Sequence, residues 1–164
     1  MARSERHRRQ RHVREAAPPR YAPSPSTAPL TGVLLDSNVV IDVLRGRTAT
    51  VAALRKLEAD GIPTYCCAIS WVEIFAGARP GEEARSEAFF EARSEIPIDA
   101  MTGRRAGVYL ARYARPHGLE IADALVAAAA STAGLHLWTL NVRHYPMDDL
   151  RLYRPPAHRD DQRD

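Results

Sequence analysis

Residues 34–44 read LLDSNVVIDVL, and this stretch decides the fold because its pattern changes at Asp36. The apolar run before Asp36 is typical of a buried strand, whereas the residues after it favour a helix. In that helix Ser37 would be the N-cap, and Gly46 would follow the C-terminal end. A carboxylate at the end of a buried strand is costly unless its charge is used, so Asp36 is a candidate functional residue.

The same alternation of strand and helix patterns continues to about residue 154. Apolar runs of strand length predict further strands at IPTYCCAIS (62–70), IPID (96–99), LHLWTLN (135–141) and LRLYR (150–154). Helical spacing and end signals predict helices over 48–61, 70–79, 82–95, 100–115 and 120–134. Strands separated by helices favour a parallel sheet that is covered on both faces, so we predict an α/β fold with three layers.

The chain of 164 residues is long enough for one compact domain, which we place at residues 32–154. Residues 1–31 are rich in Arg and then in Pro, Ser and Ala, with few large apolar side chains. Burial of so little apolar surface does not offset the entropy of ordering, so we predict a disordered, basic, Pro-rich leader. On the same grounds residues 155–164 are predicted to be a flexible tail.

Charge and apolar content restrict the class of protein. Residues 1–20 carry seven Arg and two acidic residues, whereas residues 21–150 carry twelve basic and fifteen acidic residues. A basic arm of this kind could bind nucleic-acid phosphates, although a solvated leader without a partner explains the same composition. No apolar run approaches the ~18 residues that span a membrane, and no apolar segment of a signal peptide follows the basic start. We therefore predict a cytoplasmic protein that has no membrane partner.

Cys66 and Cys67 are the two cysteines of the chain, and they are adjacent in an apolar strand pattern. Neighbouring cysteines do not easily bridge each other, and there is no spaced set of Cys and His that would indicate a zinc site. We expect both to be small buried side chains in a reducing compartment.

Four polar residues lie close to the ends of predicted strands or to the start of a helix. In α/β folds these positions commonly contribute to ligand-binding sites. Asp36 follows the first strand, Glu73 lies beyond the second, Asn141 ends the late strand, and Asp123 lies near the start of an apolar helix. Ligands bind at the carboxyl ends of parallel strands, so the topology would bring these side chains to one edge. Three acids there would repel one another unless a cation separated them. Oxygen ligands without Cys or His favour Mg²⁺, or Mn²⁺.

A purely structural explanation is also open for three of these residues. Asp36 could cap the helix that follows it, although Ser37 already offers a cap. Glu73 could close a capping box with Ser70, and Asn141 could form an Asx turn. Asp123 has no neighbouring Lys or Arg in its apolar helix, so a structural role would leave its charge uncompensated.

Three segments together carry a resemblance to a known family: LLDSNVVIDVLRG (34–46), ISWVEIFAGAR (69–79) and IADALVAAAASTAGLHLWTLNVRHY (121–145). In this order and spacing they resemble the PIN-domain ribonucleases, specifically the VapC toxins of bacterial toxin–antitoxin pairs, over about residues 33–154.

The resemblance implies a PIN-like α/β/α sandwich in which Asp36 and Asp123 hold Mg²⁺. Glu73 and Asn141 correspond to the other two residues of the family's catalytic set, although many relatives have Asp at the last of these positions. The resemblance further implies RNA as the substrate, cleavage that leaves 3′-hydroxyl and 5′-phosphate ends, and a small cognate antitoxin as the partner.

Two different classes of protein compete with this interpretation. A haloacid-dehalogenase-type phosphatase also begins with an Asp at a strand end, but it needs a second Asp two residues later, where Asn38 stands. It also needs a Lys beside the phosphate, and the single Lys, Lys56, lies in the middle of a predicted helix. The second competing class is a catalytically silent PIN-like module that binds RNA or a partner. Within the nucleases themselves, a non-toxic RNA-processing PIN nuclease would carry the same acids as a toxin.

We also predict a homodimer. Four aromatic residues exceed the evident needs of one small core, although core packing would explain each of them equally well: Trp71, Phe75, Phe89 and Phe90.

Overall fold

A five-stranded sheet runs through the computed structural model, which describes residues 31–156. The strands are β1 (Val33–Leu35), β2 (Thr64–Cys67), β3 (Ser94–Ile96), β4 (His136–Trp138) and β5 (Arg151–Leu152). They lie in the order β3-β2-β1-β4-β5, and all four neighbouring pairs are parallel. The leader predicted at 1–31 and the tail predicted at 155–164 lie almost entirely outside the described residues.

Helices connect the strands and cover both faces of the sheet. They are α1 (Ser37–Leu44), α2 (Thr48–Ala59), α3 (Ala68–Gly77), α4 (Glu83–Glu91), α5 (Ala100–His117) and α6 (Ile121–Thr132), followed by a short 3₁₀ helix at Val142–His144. The predicted α/β fold class, with a central parallel sheet between two helical layers, is confirmed.

The sheet divides the core into two halves, and β1 contributes to both because successive side chains of a strand point to opposite faces. All three residues of β1 are fully buried. Leu34 packs with Leu137 and the Ala-rich face of α6 on one side of the sheet. Val33 and Leu35 pack with Trp138 and residues of α1 to α4 on the other side. A central strand that is buried on both faces explains the continuous apolar run in the sequence.

One predicted helix cap is wrong, and one structural alternative does not form. Asp36, and not Ser37, is the N-cap of α1, since Asp36 has an extended backbone and its carboxylate accepts the Ser37 N–H. The capping box between Ser70 and Glu73, the structural alternative for Glu73, does not form because α3 begins at Ala68, with Cys67 as its N-cap. Ser70 therefore lies inside the first turn, where its hydroxyl donates to the Leu35 carbonyl at 3.5 Å.

The strands predicted at 62–70, 96–99, 135–141 and 150–154 are all shorter in the structure, and the second of them is also shifted. β3 spans Ser94–Ile96 rather than residues 96–99, because Pro97 has no N–H with which to continue the ladder. The preceding helix α4 correspondingly stops at Glu91. β4 ends at Trp138, so Asn141 lies three residues beyond the strand rather than at its end.

The cysteines are buried, and the four aromatic residues lie in the core or pack against it. Cys66 and Cys67 are buried free thiols, and burial raises the pKa of Cys66 to about 12, so this thiol stays protonated and unreactive at neutral pH. The Trp71 ring lies 4.4 Å from the ring of Phe90 and 5.4 Å from that of Phe75. Core packing is therefore sufficient to explain these aromatic rings.

Within residues 31–156, no helix has both the length and the apolar character that crossing a membrane requires.

Candidate active site

Asp36 lies at the carboxyl edge of the sheet, between the ends of β1 and β4. Its backbone N–H donates to the Trp138 carbonyl at 2.9 Å, which fixes the residue beside the adjacent strand. Only 6% of Asp36 is exposed, although its side chain is a carboxylate. The strand-end position predicted for this residue is confirmed.

Four donors surround the Asp36 carboxylate. Oδ1 accepts the Ser37 N–H at 2.8 Å, while Oδ2 accepts from the Asn38 amide and the Thr139 hydroxyl, both at 2.7 Å. The Tyr145 hydroxyl lies 3.2 Å from the same Oδ2. These bonds hold the carboxylate in one orientation from its own helix and from the segment that follows β4.

Burial nevertheless raises the pKa of Asp36 above its ordinary value. The hydrogen bonds from Thr139, Ser37 and Tyr145 oppose this effect, and the negative charge of Asp123 adds to it. Desolvation therefore outweighs the donors, and the charged form of Asp36 would gain from a cation beside it.

Asp123 approaches Asp36 from the first turn of α6. One of its oxygens, Oδ1, lies 3.3 Å from the Tyr145 hydroxyl, which also contacts Asp36. The other oxygen lies 3.6 Å from Nδ1 of His144 and 3.5 Å from the backbone N–H of Glu120, the N-cap of α6. The Asp123 side chain is 25% exposed, so the site opens to solvent on this side. The two predicted metal ligands are thus brought together through a single tyrosine.

Asn141 lies next to this pair without contacting either carboxylate. Its backbone N–H donates to the Thr139 hydroxyl at 3.0 Å, and its side-chain nitrogen lies 2.8 Å from Nδ1 of His144. Its side-chain oxygen accepts from Arg143 at 3.2 Å. Asn141 is therefore linked to each acid through one intervening residue. Thr139 lies between Asn141 and Asp36, and His144 lies between Asn141 and Asp123.

Glu73 occupies a different environment. It is exposed on α3 and lines a groove of about 500 Å³ between α1, α3 and α4, beside Ile41 and Arg79. No hydrogen bond or ion pair joins it to another residue within 31–156. Across the same residues, no three side chains of His, Cys, Asp or Glu lie close enough to hold a metal ion together. Of the three acids predicted to lie together, the structure brings Asp36 and Asp123 together. Glu73 does not join them.

Sequence reasoning missed four residues that surround the acids: Asn38, Thr139, His144 and Tyr145. Thr139 reaches Asp36 because it directly follows β4, which pairs with β1. Tyr145 reaches Asp36 because the 3₁₀ helix after β4 folds the chain back over the sheet edge. The run of polar and aromatic residues after the last long strand pattern was the available signal. Nothing in that run specified which side chains would turn inward.

The donors present fit a hard divalent cation. Two carboxylates lie at the centre, and all the neighbouring groups that could bind metal directly, apart from His144, are oxygens or amides. Mg²⁺ is commonly held by one or two carboxylates and keeps several waters, so three protein acids are not required. The buried Ser37 hydroxyl, next to Asp36, has no hydrogen-bond partner and could bind such a water.

Comparison with known proteins gives a consistent result. The family model described as "PIN domain" matches residues 33–150. Over 115 residues the chain is 35% identical to "Ribonuclease VapC19" of Mycobacterium tuberculosis, covering 70% of this chain and 92% of that protein. The chain therefore belongs to the PIN-domain family.

Solved structures support the fold. A toxin–antitoxin complex from Klebsiella pneumoniae contains a chain that is 25% identical, with a TM-score of 0.60, over 70% of this chain and 91% of that one. VapBC2 from Rickettsia felis, solved with a DNA fragment of its promoter, is 19% identical, with a TM-score of 0.63, over 74% and 96%. Both likenesses extend over most of the described residues, so the resemblance inferred from the three sequence segments is confirmed.

Proposed function

We propose that the protein is a Mg²⁺-dependent endoribonuclease and the toxic component of a type II toxin–antitoxin system, acting in the cytoplasm. The observation that carries the proposal is the pairing of Asp36 and Asp123 around the Tyr145 hydroxyl, at the sheet edge where α/β folds bind ligands. Its relative named Ribonuclease VapC19 supports RNA as the substrate.

Asp36 and Asp123 would hold the cation, with Mn²⁺ as a substitute for Mg²⁺. The bound ion would supply Lewis-acid chemistry, making a water more acidic and neutralising charge on the phosphoryl oxygens during in-line attack. Thr139 and Asn38 hold the Asp36 carboxylate in the orientation that the cation would require. Products with 3′-hydroxyl and 5′-phosphate ends are expected.

Asn141 and Glu73 complete the proposed catalytic set. Asn141 borders the acid pair through Thr139, so its amide is suited to orient a water or a phosphate oxygen near the cation. Glu73 has no partner within residues 31–156, and its carboxylate is therefore available to a bound substrate. Its catalytic role stays a prediction.

The proposed protein partner is a small antitoxin. A cationic side chain inserted beside Asp36 and Asp123 would form charge-assisted hydrogen bonds, which contribute about 1.5–3 kcal/mol each. It would also occupy the place of the cation. The relative from Klebsiella pneumoniae was solved as a toxin–antitoxin complex, which supports a partner of this kind. A homodimer remains part of the proposal, although Trp71 and its neighbours, which suggested it, pack within the chain.

Cleavage of a labelled RNA panel tests the nuclease assignment. Asp123→Ala removes an anionic ligand, so we expect Mg²⁺-dependent cleavage to fall to the level of metal-free samples while circular dichroism stays native. Asp36→Ala should have the same effect, with an added loss of stability of about 1 kcal/mol because α1 loses its N-cap.

Asp60→Ala is the matched control, since Asp60 pairs with Lys56 on the surface and should leave cleavage unchanged. A folded Asp123→Ala protein that cuts RNA at the wild-type rate would show that the site is misplaced.

Growth of a bacterial host tests the toxin assignment separately. Wild-type protein expressed alone should stop growth, Asp123→Ala should not, and co-expression of the small gene adjacent to this one should restore growth. If wild-type protein that cuts RNA in vitro leaves growth unaffected, the toxin assignment fails and a non-toxic RNA-processing nuclease takes its place. A folded protein that neither binds metal nor cuts RNA would instead identify a silent binding module.

A further inference from the structure

The Tyr145 hydroxyl is the direct hydrogen-bonding link between the two acids of the candidate active site. It lies 3.2 Å from Asp36 Oδ2 and 3.3 Å from Asp123 Oδ1, and the tyrosine itself is only 4% exposed. A hydroxyl has one proton to donate, so the two carboxylates share it. Two anionic groups that repel each other are thus held around a single donor.

The two carboxylates depend on Tyr145 to very different degrees. Asp36 keeps its Ser37, Asn38 and Thr139 donors whether or not the tyrosine is present. For Asp123, no other hydrogen bond within residues 31–156 reaches Oδ1, while Oδ2 lies 3.5 Å from the Glu120 N–H and 3.6 Å from Nδ1 of His144. Neither of these two contacts reaches Asp36, so Tyr145 is the group that ties the orientation of Asp123 to Asp36.

We propose that Tyr145 is a positioning residue for the metal, which orients Asp123 toward Asp36 before the cation binds. This inference rests on the proposed function, because it assumes that the two acids hold a divalent cation. Without the hydroxyl, Asp123 would turn away from Asp36 toward solvent, and the cation would have to bring the two carboxylates together. Groups that orient metal ligands in this way typically change metal affinity about 10–100-fold when they are removed.

Tyr145→Phe tests the proposal because it removes the hydroxyl and keeps the buried ring. We expect the dissociation constant for Mn²⁺, measured by electron paramagnetic resonance on metal-free protein, to rise about tenfold or more. The Mg²⁺ concentration that gives half-maximal cleavage should rise by a similar factor, while the rate at saturating Mg²⁺ changes much less. A loss of packing alone would lower the melting temperature without this separation of affinity from maximal rate.

Tyr109→Phe is the matched control. Tyr109 is also 4% exposed, and its hydroxyl also donates to an aspartate, Asp149, at 2.8 Å. Arg105, which pairs with the same carboxylate, belongs to a separate cluster beside the start of β5. This control should leave both the Mn²⁺ affinity and the Mg²⁺ requirement at wild-type values.

A third variant restores the donor and decides the matter if Tyr145→Phe does not fold. Replacement of Tyr145 by 4-aminophenylalanine keeps an N–H group at the same place, so its Mn²⁺ affinity should lie within about threefold of the wild-type value. Wild-type affinity in folded Tyr145→Phe, or a tenfold loss in the 4-aminophenylalanine protein, would overturn the proposal. Wild-type protein that binds no Mn²⁺ and cuts no RNA would instead refute the proposed function on which it rests.

Discussion

At the scale of single residues, Asp36 combines two roles that a sequence pattern cannot separate. Its Oδ1 caps α1 through Ser37, and its Oδ2 faces Thr139 and the second acid. A helix N-terminus stabilises negative charge, so the cap lowers the cost of burying the carboxylate beside the site. The capping role and the proposed metal role therefore support each other.

Gly32 shows how little space surrounds the start of β1. A Cβ atom there would lie 2.7 Å from the Tyr65 ring, 3.0 Å from Leu135 and 3.3 Å from the Pro63 carbonyl oxygen. We expect Gly32→Ala to lower the free energy of unfolding by about 1–3 kcal/mol, because the neighbouring atoms on both sides of the chain must shift. Urea denaturation of the metal-free protein measures this change.

Gly107→Ala is the control for that prediction. Gly107 is exposed in α5, and a Cβ there would meet no atom within 4 Å. Alanine should raise the free energy of unfolding by about 0.5–1 kcal/mol, since glycine in a helix interior is destabilising. Equal effects from the two substitutions would contradict the steric argument.

At the scale of elements, long periodic segments were predictable and short ones were not. α2, α5 and α6 form where the apolar pattern places them, because α2 and α5 each bury one face and α6 is apolar and buried over most of its length. β3 is a three-residue strand with mostly exposed side chains, so its position is set by pairing with β2 and by Pro97. Tertiary pairing of this kind leaves no periodic signal in the sequence.

The candidate site was predictable to the same extent as the elements that carry it. Asp36 and Asp123 could be identified because each is an acid in an apolar element, where burial of an uncompensated charge is costly. Tyr145 could not, because its position depends on the turn at Val142–His144, which folds back over the sheet edge. Glu73 is exposed on α3, and no hydrogen bond joins it to the acid pair within residues 31–156.

At the scale of the whole molecule, charge is divided unequally between the N-terminal segment and the rest. Residues 21–150 have three more acidic than basic residues, yet the proposed substrate is a polyanion. Residues 1–20 have five more basic than acidic residues and could attract RNA through counterion release. The folded domain must therefore either bind RNA by itself, through the cation and local groups, or depend on the N-terminal segment.

We predict that the domain acts by itself, so that a chain beginning at Gly32 keeps the melting temperature and the Mg²⁺-dependent cleavage rate of the full chain. All five strands lie between Val33 and Leu152, and the PIN-domain match begins at residue 33. Residues 1–31 contribute few large apolar side chains that could stabilise a core. The salt dependence of cleavage should also be unchanged, because the phosphate contacts would come from the domain.

A chain beginning at Asp36 is the matched control: it loses β1, the fully buried central strand, and should not fold. A lower melting temperature, slower cleavage or a shallower salt dependence of the Gly32 chain would show that the basic segment contributes to the fold or to substrate binding.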